Sequence, residues 1–168
     1  MARFQGWVIL WAVLWAAAAG AAEPEYRVKA AFLYHFAQLT TWERAAPAEG
    51  FEVCVVGDDP FGPELDLLEG KRVHGLRVGV RRCGRTPCRC PVVFVARSEA
   101  PRLPEVLGAL DDGVLTVSDI PGFADRGGMI ELVERAGRLR FRIHRGRAGQ
   151  AGLRFDARLL RLAEEVLP

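Results

Sequence analysis

Lysine is almost absent from this 168-residue chain: Lys29 and Lys71 stand against an otherwise arginine-only basic set, and 23 basic residues meet 21 acidic ones. So even a balance lacks the electrostatic footprint of a nucleic-acid binder. The arginine bias is most simply a matter of coding composition. A second long apolar run is also missing. The one present, Trp7 to Ala19, follows Arg3 as the only charge and precedes the small residues Gly20, Ala21 and Ala22. It is shorter than the roughly 20 residues that a bilayer-spanning helix needs. It therefore reads as a secretory signal over residues 1–22, cleaved after Ala22. The mature chain, 23–168, is expected to be one exported domain with a net charge of about +1 and no membrane span after cleavage.

Enzyme signatures are missing as well. There is no G-x-S-x-G elbow, no H-E-x-x-H helix and no phosphate-cradling G-x-x-x-x-G-K-[ST] loop. The mature histidines, His35, His74 and His144, share no ligand spacing. The expectation is a protein that is not an enzyme, with no cofactor and no metal.

What is present begins with four cysteines, Cys54, Cys83, Cys88 and Cys90. In an exported chain two disulfides are the default. Of the three possible pairings, the one that joins Cys88 to Cys90 strains bridge geometry. Cys54–Cys90 with Cys83–Cys88 is the pairing expected here. The competing reading is a zinc site of Cys83, Cys88, Cys90 and His74, but C-x₄-C-x-C matches no common structural zinc spacing.

Apolar periodicity then lays out the elements. A first helix is expected over Glu23–Thr41, with Pro24 in its first turn. Phe51–Val56 and "PVVFVA" read as fully buried strands, as does "VLTVSD". "PFGPELDLLEG" is a short helix stopped by Gly70, and "RVHGLRVGVRRC" alternates as strands with one wet face. "APRLPEVLGALDDG" carries Leu103, Val106, Leu107 and Leu110 at helical spacing. "MIELVERAGRLRFRIHR" reads as a hairpin around Ala136 and Gly137. Its second strand sets Leu139, Phe141 and Ile143 against Arg138, Arg140, Arg142 and His144, and such a cationic row is usually a solvated face. The end, "FDARLLRLAEEVLP", suggests a packed helix with Asp156 as N-cap and Leu159, Leu162, Ala163 and Val166 as its apolar stripe. Together these give an α/β single-domain sandwich, a mixed β-sheet flanked by helices on both faces and stabilised by disulfides.

If the buried strands are parallel neighbours, their carboxyl ends bring Asp58, Asp59, Ser118 and Asp119 to one edge of the sheet. Ligands of open α/β sheets bind at that edge, so an exported small-ligand-binding protein is one reading. "GDDP" is equally good as a plain turn.

The first helix raises the other reading. Val28, Ala31, Phe32, His35, Phe36 and Leu39 fall at offsets of three and four as one stripe, and Tyr26, Ala30, Leu33, Tyr34 and Ala37 occupy much of the remainder. So apolar a helix is either enclosed by its own domain or shared with a partner. Phe32, Tyr34, His35, Phe36, Leu39 and Trp42 are the candidate partner-binding residues, since aromatic side chains are enriched in interface centres.

The strings "VKAAFLYHFAQLTTW", "VCVVGDDPFG", "CPVVFVA", "VLTVSDIPGFADRGGMIELV", "RLRFRIHRGRAGQAGL" and "LLRLA" occur in this order along the chain. With them the sequence resembles the YfiR-like family of exported bacterial regulatory proteins. The resemblance implies a periplasmic α/β domain, often a homodimer, that is not an enzyme. It further implies repression of a membrane-bound diguanylate cyclase through its periplasmic sensor region, lowering cyclic-di-GMP signalling and biofilm formation. Cys54 and Cys90 fall at positions similar to a family cysteine pair, whereas Cys83 and Cys88 look like a local substitute for a second family bridge. His35 and His144 stand where Asn is common, and Glu43 where Pro is common.

Overall fold

A computed structural model describes residues 22–44, 47 and 50–168. The expected signal segment lies outside them except for Ala22, which opens the first helix.

Helix α1 (Ala22–Gln38) ends three residues before the expected Thr41, because Thr40 and Thr41 join a strand, β1 (Thr40–Trp42). The Thr40 hydroxyl donates to the Phe36 carbonyl at 2.7 Å, satisfying a carbonyl of the last turn. β1 then pairs antiparallel with β9 (Leu153–Phe155), Thr40 opposite Phe155. Two β-branched residues with a waiting partner strand outweigh the helical pattern that precedes them.

Among the described residues the main sheet has eight strands. β2 (Phe51–Val56) lies between β4 (Leu76–Arg82) and β5 (Val92–Val95), parallel to both. The sheet continues through β6 (Leu115–Ser118) and β7 (Ile130–Arg135), still parallel. The hairpin to β8 (Arg138–His144) is antiparallel. Its turn places Ala136 and Gly137 at φ 50° and 71°, both left-handed, as a two-residue hairpin requires. The short β3 (Arg72–Val73) forms one edge of the sheet.

The other edge holds a correction. The final segment forms only one and a half turns of helix, α5 (Ala157–Leu162), before Ala163 turns extended and β10 (Glu165–Leu167) pairs parallel with β8. Of the expected stripe Leu159 alone is buried, while Leu162 and Val166 are exposed. The unpaired backbone groups of β8 recruit this segment more strongly than its modest helical stripe holds it. Asp156 does cap α5: its carboxylate accepts the Arg158 amide at 2.7 Å. With the Arg158 guanidinium beside it, its pKa is held down to about 2.

Strand periodicity divides the interior in two. Val53, Val55, Val92, Phe94, Leu115 and Val117 point to the face that α1 covers. Cys54, Val56, Val93 and Val95 point to the opposite face, under α3 (Leu103–Gly108) and the 3₁₀ segment Arg97–Arg102 that leads into it. Fully apolar strands are what a sheet covered on both faces demands. The molecule is a single domain with helices on both sides of a mixed, curled sheet. α2 (Pro63–Asp66) and α4 (Arg145–Gln150) are short connectors, the latter unanticipated between β8 and β9.

Candidate functional site

α1 buries a different stripe from the one expected. Lys29, Ala30, Leu33, Phe36 and Ala37 face inward, and Val28, Ala31 and His35 face solvent, so the helix is turned by about one residue. Lys29 is the reason. It lies fully buried, 2 % exposed, with Nζ 2.6 Å from Asp119 Oδ2. Glu25 also pairs with it, one helical turn back. Asp119, at the carboxyl end of β6, further accepts from the Tyr26 hydroxyl at 3.0 Å, and Arg97 Nε lies 3.2 Å away. A buried lysine is tolerable only with such a partner, so the ion pair fixes how the helix is rotated on the sheet. Burial by itself would lower the pKa of Lys29, but its hydrogen bonds to Asp119 and Glu25 outweigh that and raise it. Burial, and then the Asp119 charge, raise that of Tyr26.

The rotation sorts the six candidate partner-binding residues. Phe36 belongs to this chain's own core, its ring 5.0 Å from that of Phe141. Trp42 is buried too, with Nε1 donating to the Gly113 carbonyl at 2.8 Å and its ring edge-on to Phe51. Neither offers surface, because the sheet and the β1–β9 pair enclose them. His35 is exposed; Phe32, Tyr34 and Leu39 are half-buried at the margin of the core. The Tyr34 hydroxyl donates to the Arg72 carbonyl at 3.0 Å. One outward strip of α1 is therefore Val28, Ala31 and His35 flanked by Phe32 and Leu39, beside exposed Glu25, Arg27 and Gln38.

At the carboxyl edge of the sheet, most polar atoms are taken up locally. Asp59 accepts the Phe61 amide at 2.8 Å and Arg82 Nε at 2.7 Å. Ser118 donates to the Val95 carbonyl and accepts the Ile120 amide, and the Ser98 hydroxyl accepts the Asp58 amide at 2.9 Å. The gap between β2 and β5 is narrow: a Cβ added to Gly57, at φ +96°, would sit 2.5 Å from Ser98 Oγ. Asp58, Asp59, Ser118 and Asp119 thus read mainly as turn and anchor residues. The Asp58 carboxylate is exposed and joins none of these contacts, and Asp119 Oδ1 is buried with no hydrogen-bond partner among the described residues.

Two further polar residues carry structure that periodicity does not reveal. Glu131 on β7, 3 % exposed, accepts the amides of Gly122 and Ala124 and Arg142 Nη1. Arg142 also reaches Asp125 and Glu165. So Arg142 leaves the cationic row and ties the loop after β6 to β10. Its pKa is raised, foremost by the hydrogen bonds to Asp125 and Glu165. A buried acid in strand β7 paired opposite an arginine in β8 was the available signal, since Glu131 and Arg142 are register partners.

The cysteines form the expected bridges, Cys54–Cys90 and Cys83–Cys88, with Cα separations of 6.1 and 5.8 Å. His74 is elsewhere: its Nε2 donates to the Thr40 carbonyl at 2.8 Å, beside Trp42. The zinc set that includes His74 is thereby excluded.

A family model described as YfiR/HmsC-like matches residues 26–164, from within α1 to the residue before the last strand. The chain belongs to this YfiR/HmsC-like family. The family is one of periplasmic regulators, not catalysts, that act with membrane sensor proteins. No curated protein matches the chain significantly. Among the described residues no helix is long and apolar enough to cross a membrane.

Proposed function

We propose that this family member is exported through a cleaved signal and represses a membrane-bound diguanylate cyclase by binding its periplasmic sensor region. Cyclic-di-GMP output, and with it biofilm formation, falls when the complex forms. The observation that carries this reading is the family match over residues 26–164. The outward side of α1, with Val28 46 % exposed next to His35 and half-buried Phe32 and Leu39, supplies a contact surface of the right kind. Phe36 and Trp42 act beneath it by fixing the helix. Self-association into a homodimer is part of the proposal.

Repression requires differential affinity. A partner that binds active and inactive sensor equally shifts nothing, whereas a tenfold preference for the inactive form biases the equilibrium by about 1.4 kcal/mol. The test co-expresses the chain with a membrane diguanylate cyclase from the same genome, one with a periplasmic segment, and measures capture and cyclic-di-GMP. Val28→Glu with His35→Glu is expected to keep the thermal transition and to weaken capture by about tenfold or more. Phe36→Glu is expected to abolish folding, because it buries an unpaired charge. Undiminished capture by the folded double variant would remove α1 as the contact, and unchanged cyclic-di-GMP with the wild-type chain would end the repressor reading.

A further inference from the structure

β4 and β5 lie parallel on either side of β2, so the chain between them must return the full length of the sheet. It does so in residues 83–91, without a helix. Such crossovers ordinarily take a dozen or more residues and a helix that covers the strand beneath. Here cysteines stand in for that cover. Cys83 leaves the end of β4, its amide bonded to the Val55 carbonyl at 2.9 Å, and Cys90 arrives just before β5. Cys54 points up from the middle of β2 between them. The two bridges consequently pack together: the four Sγ atoms all lie within 4.8 Å of one another. Cys54 and Cys90 are buried and Cys83 and Cys88 half-buried.

Four thiolates around a tetrahedral Zn²⁺, each about 2.3 Å from the metal, are separated by about 3.8 Å. That is within the span these sulfurs already occupy. Sequence spacing alone pointed to His74 as the fourth ligand; the fold replaces it with Cys54, which lies 29 positions before Cys83 and is brought beside the others by the pairing of β2 with β4 and β5.

We infer that Cys54, Cys83, Cys88 and Cys90, when reduced, form a four-sulfur site for a soft d¹⁰ cation, Zn²⁺ or Cu⁺, on the same sheet face that the two disulfides otherwise staple. The bridged and metal-bound forms are alternatives. Each disulfide is opened by one dithiol reductant, which becomes a disulfide itself as two electrons and two protons pass to the cysteine pair. Binding of Zn²⁺ by the four thiols then releases four protons to solvent and forms four Zn–S bonds. A newly made chain, not yet oxidised, enters the second step directly. The metal and the bridges hold the helix-free crossover in the same place, so the core below it persists in either form.

The test uses the whole mature chain, fully reduced with a phosphine under anaerobic conditions and freed of excess reductant, with Co²⁺ as spectroscopic probe. Reduced wild type is expected to take up one Co²⁺ per chain, with the intense visible bands and thiolate charge-transfer absorption of a tetrahedral four-sulfur site, bleached by Zn²⁺. Oxidised wild type should show no such absorption. His74→Ala should leave the spectrum unchanged, and Cys88→Ser, in the half-exposed loop, should lose its four-sulfur character. Because Cys54→Ser alters the core, its loss of signal counts only alongside a retained circular-dichroism spectrum, and Cys88→Ser decides otherwise. Absence of cobalt uptake by the reduced wild type overturns the inference, as does a four-sulfur spectrum that survives in Cys88→Ser.

Discussion

Lys29 shows how one residue can set the geometry of a helix. Removing its ammonium leaves Asp119 buried with only the Tyr26 hydroxyl and the largely exposed Arg97 for company. Breaking a buried pair from one side costs more than deleting both partners, so Lys29→Met is expected to lose about 3 kcal/mol in urea unfolding at neutral pH. Combining it with Asp119→Asn should restore part of that loss. The pH dependence has a definite sign. Lys29 and Tyr26 both have folded-state pKa values above their ordinary 10.5 and 10.0. Stability from a raised pKa is complete below the unfolded value and is lost as pH rises through the folded one. Wild-type stability should therefore fall from about pH 10 upward, and more steeply than in the double variant. Parallel slopes would show that the cluster does not govern alkaline unfolding. The fall must be read in chains whose bridges remain intact.

Elements here are governed by their neighbours as much as by their own residues. The buried strands β2, β5 and β6 were legible because strands covered on both faces are predominantly apolar and β-branched, and the Ala136–Gly137 turn because few turns suit a tight hairpin. Illegible were the elements whose partners are remote in sequence: β1 awaits β9, and β10 the open edge of β8, at separations no local pattern records. Of the candidate site, the apolar excess of α1 was visible, but its rotation depended on Asp119, 90 residues away. Glu131 was hidden for the same reason. It caps the loop after β6, which joins two parallel strands with turns in place of a helix, through the amides of Gly122 and Ala124. Glu131→Ala leaves those amides unpaired and is expected to cost about 3 kcal/mol. Glu131→Gln, which retains one acceptor oxygen, should cost clearly less in the same urea titration. Equal losses would mean that the carboxylate charge toward Arg142, not the amide caps, carries the effect.

At the scale of the whole molecule, one sheet separates a large interior under α1 from a smaller one under α3 and the cysteine crossover. The smaller side has little helix to cover it, so its stability leans on the bridges. On a chain-entropy account, the Cys54–Cys90 link, 36 residues apart, restrains the unfolded chain by about 3.8 kcal/mol, and Cys83–Cys88, five apart, by about 2 kcal/mol. Paired serine replacements should then destabilise in that order, with Cys54→Ser plus Cys90→Ser the worse. Packing predicts a further gap between them. Cys54 and Cys90 are buried, so their hydroxyls would need partners in an apolar interior, whereas Cys83 and Cys88 are half-exposed. Both effects act in one direction, and the long-bridge variant should unfold at a distinctly lower urea concentration. A reversed order would show that the short bridge, by fixing the crossover over β2, controls access to the smaller interior, and that native-state packing dominates chain entropy in this domain.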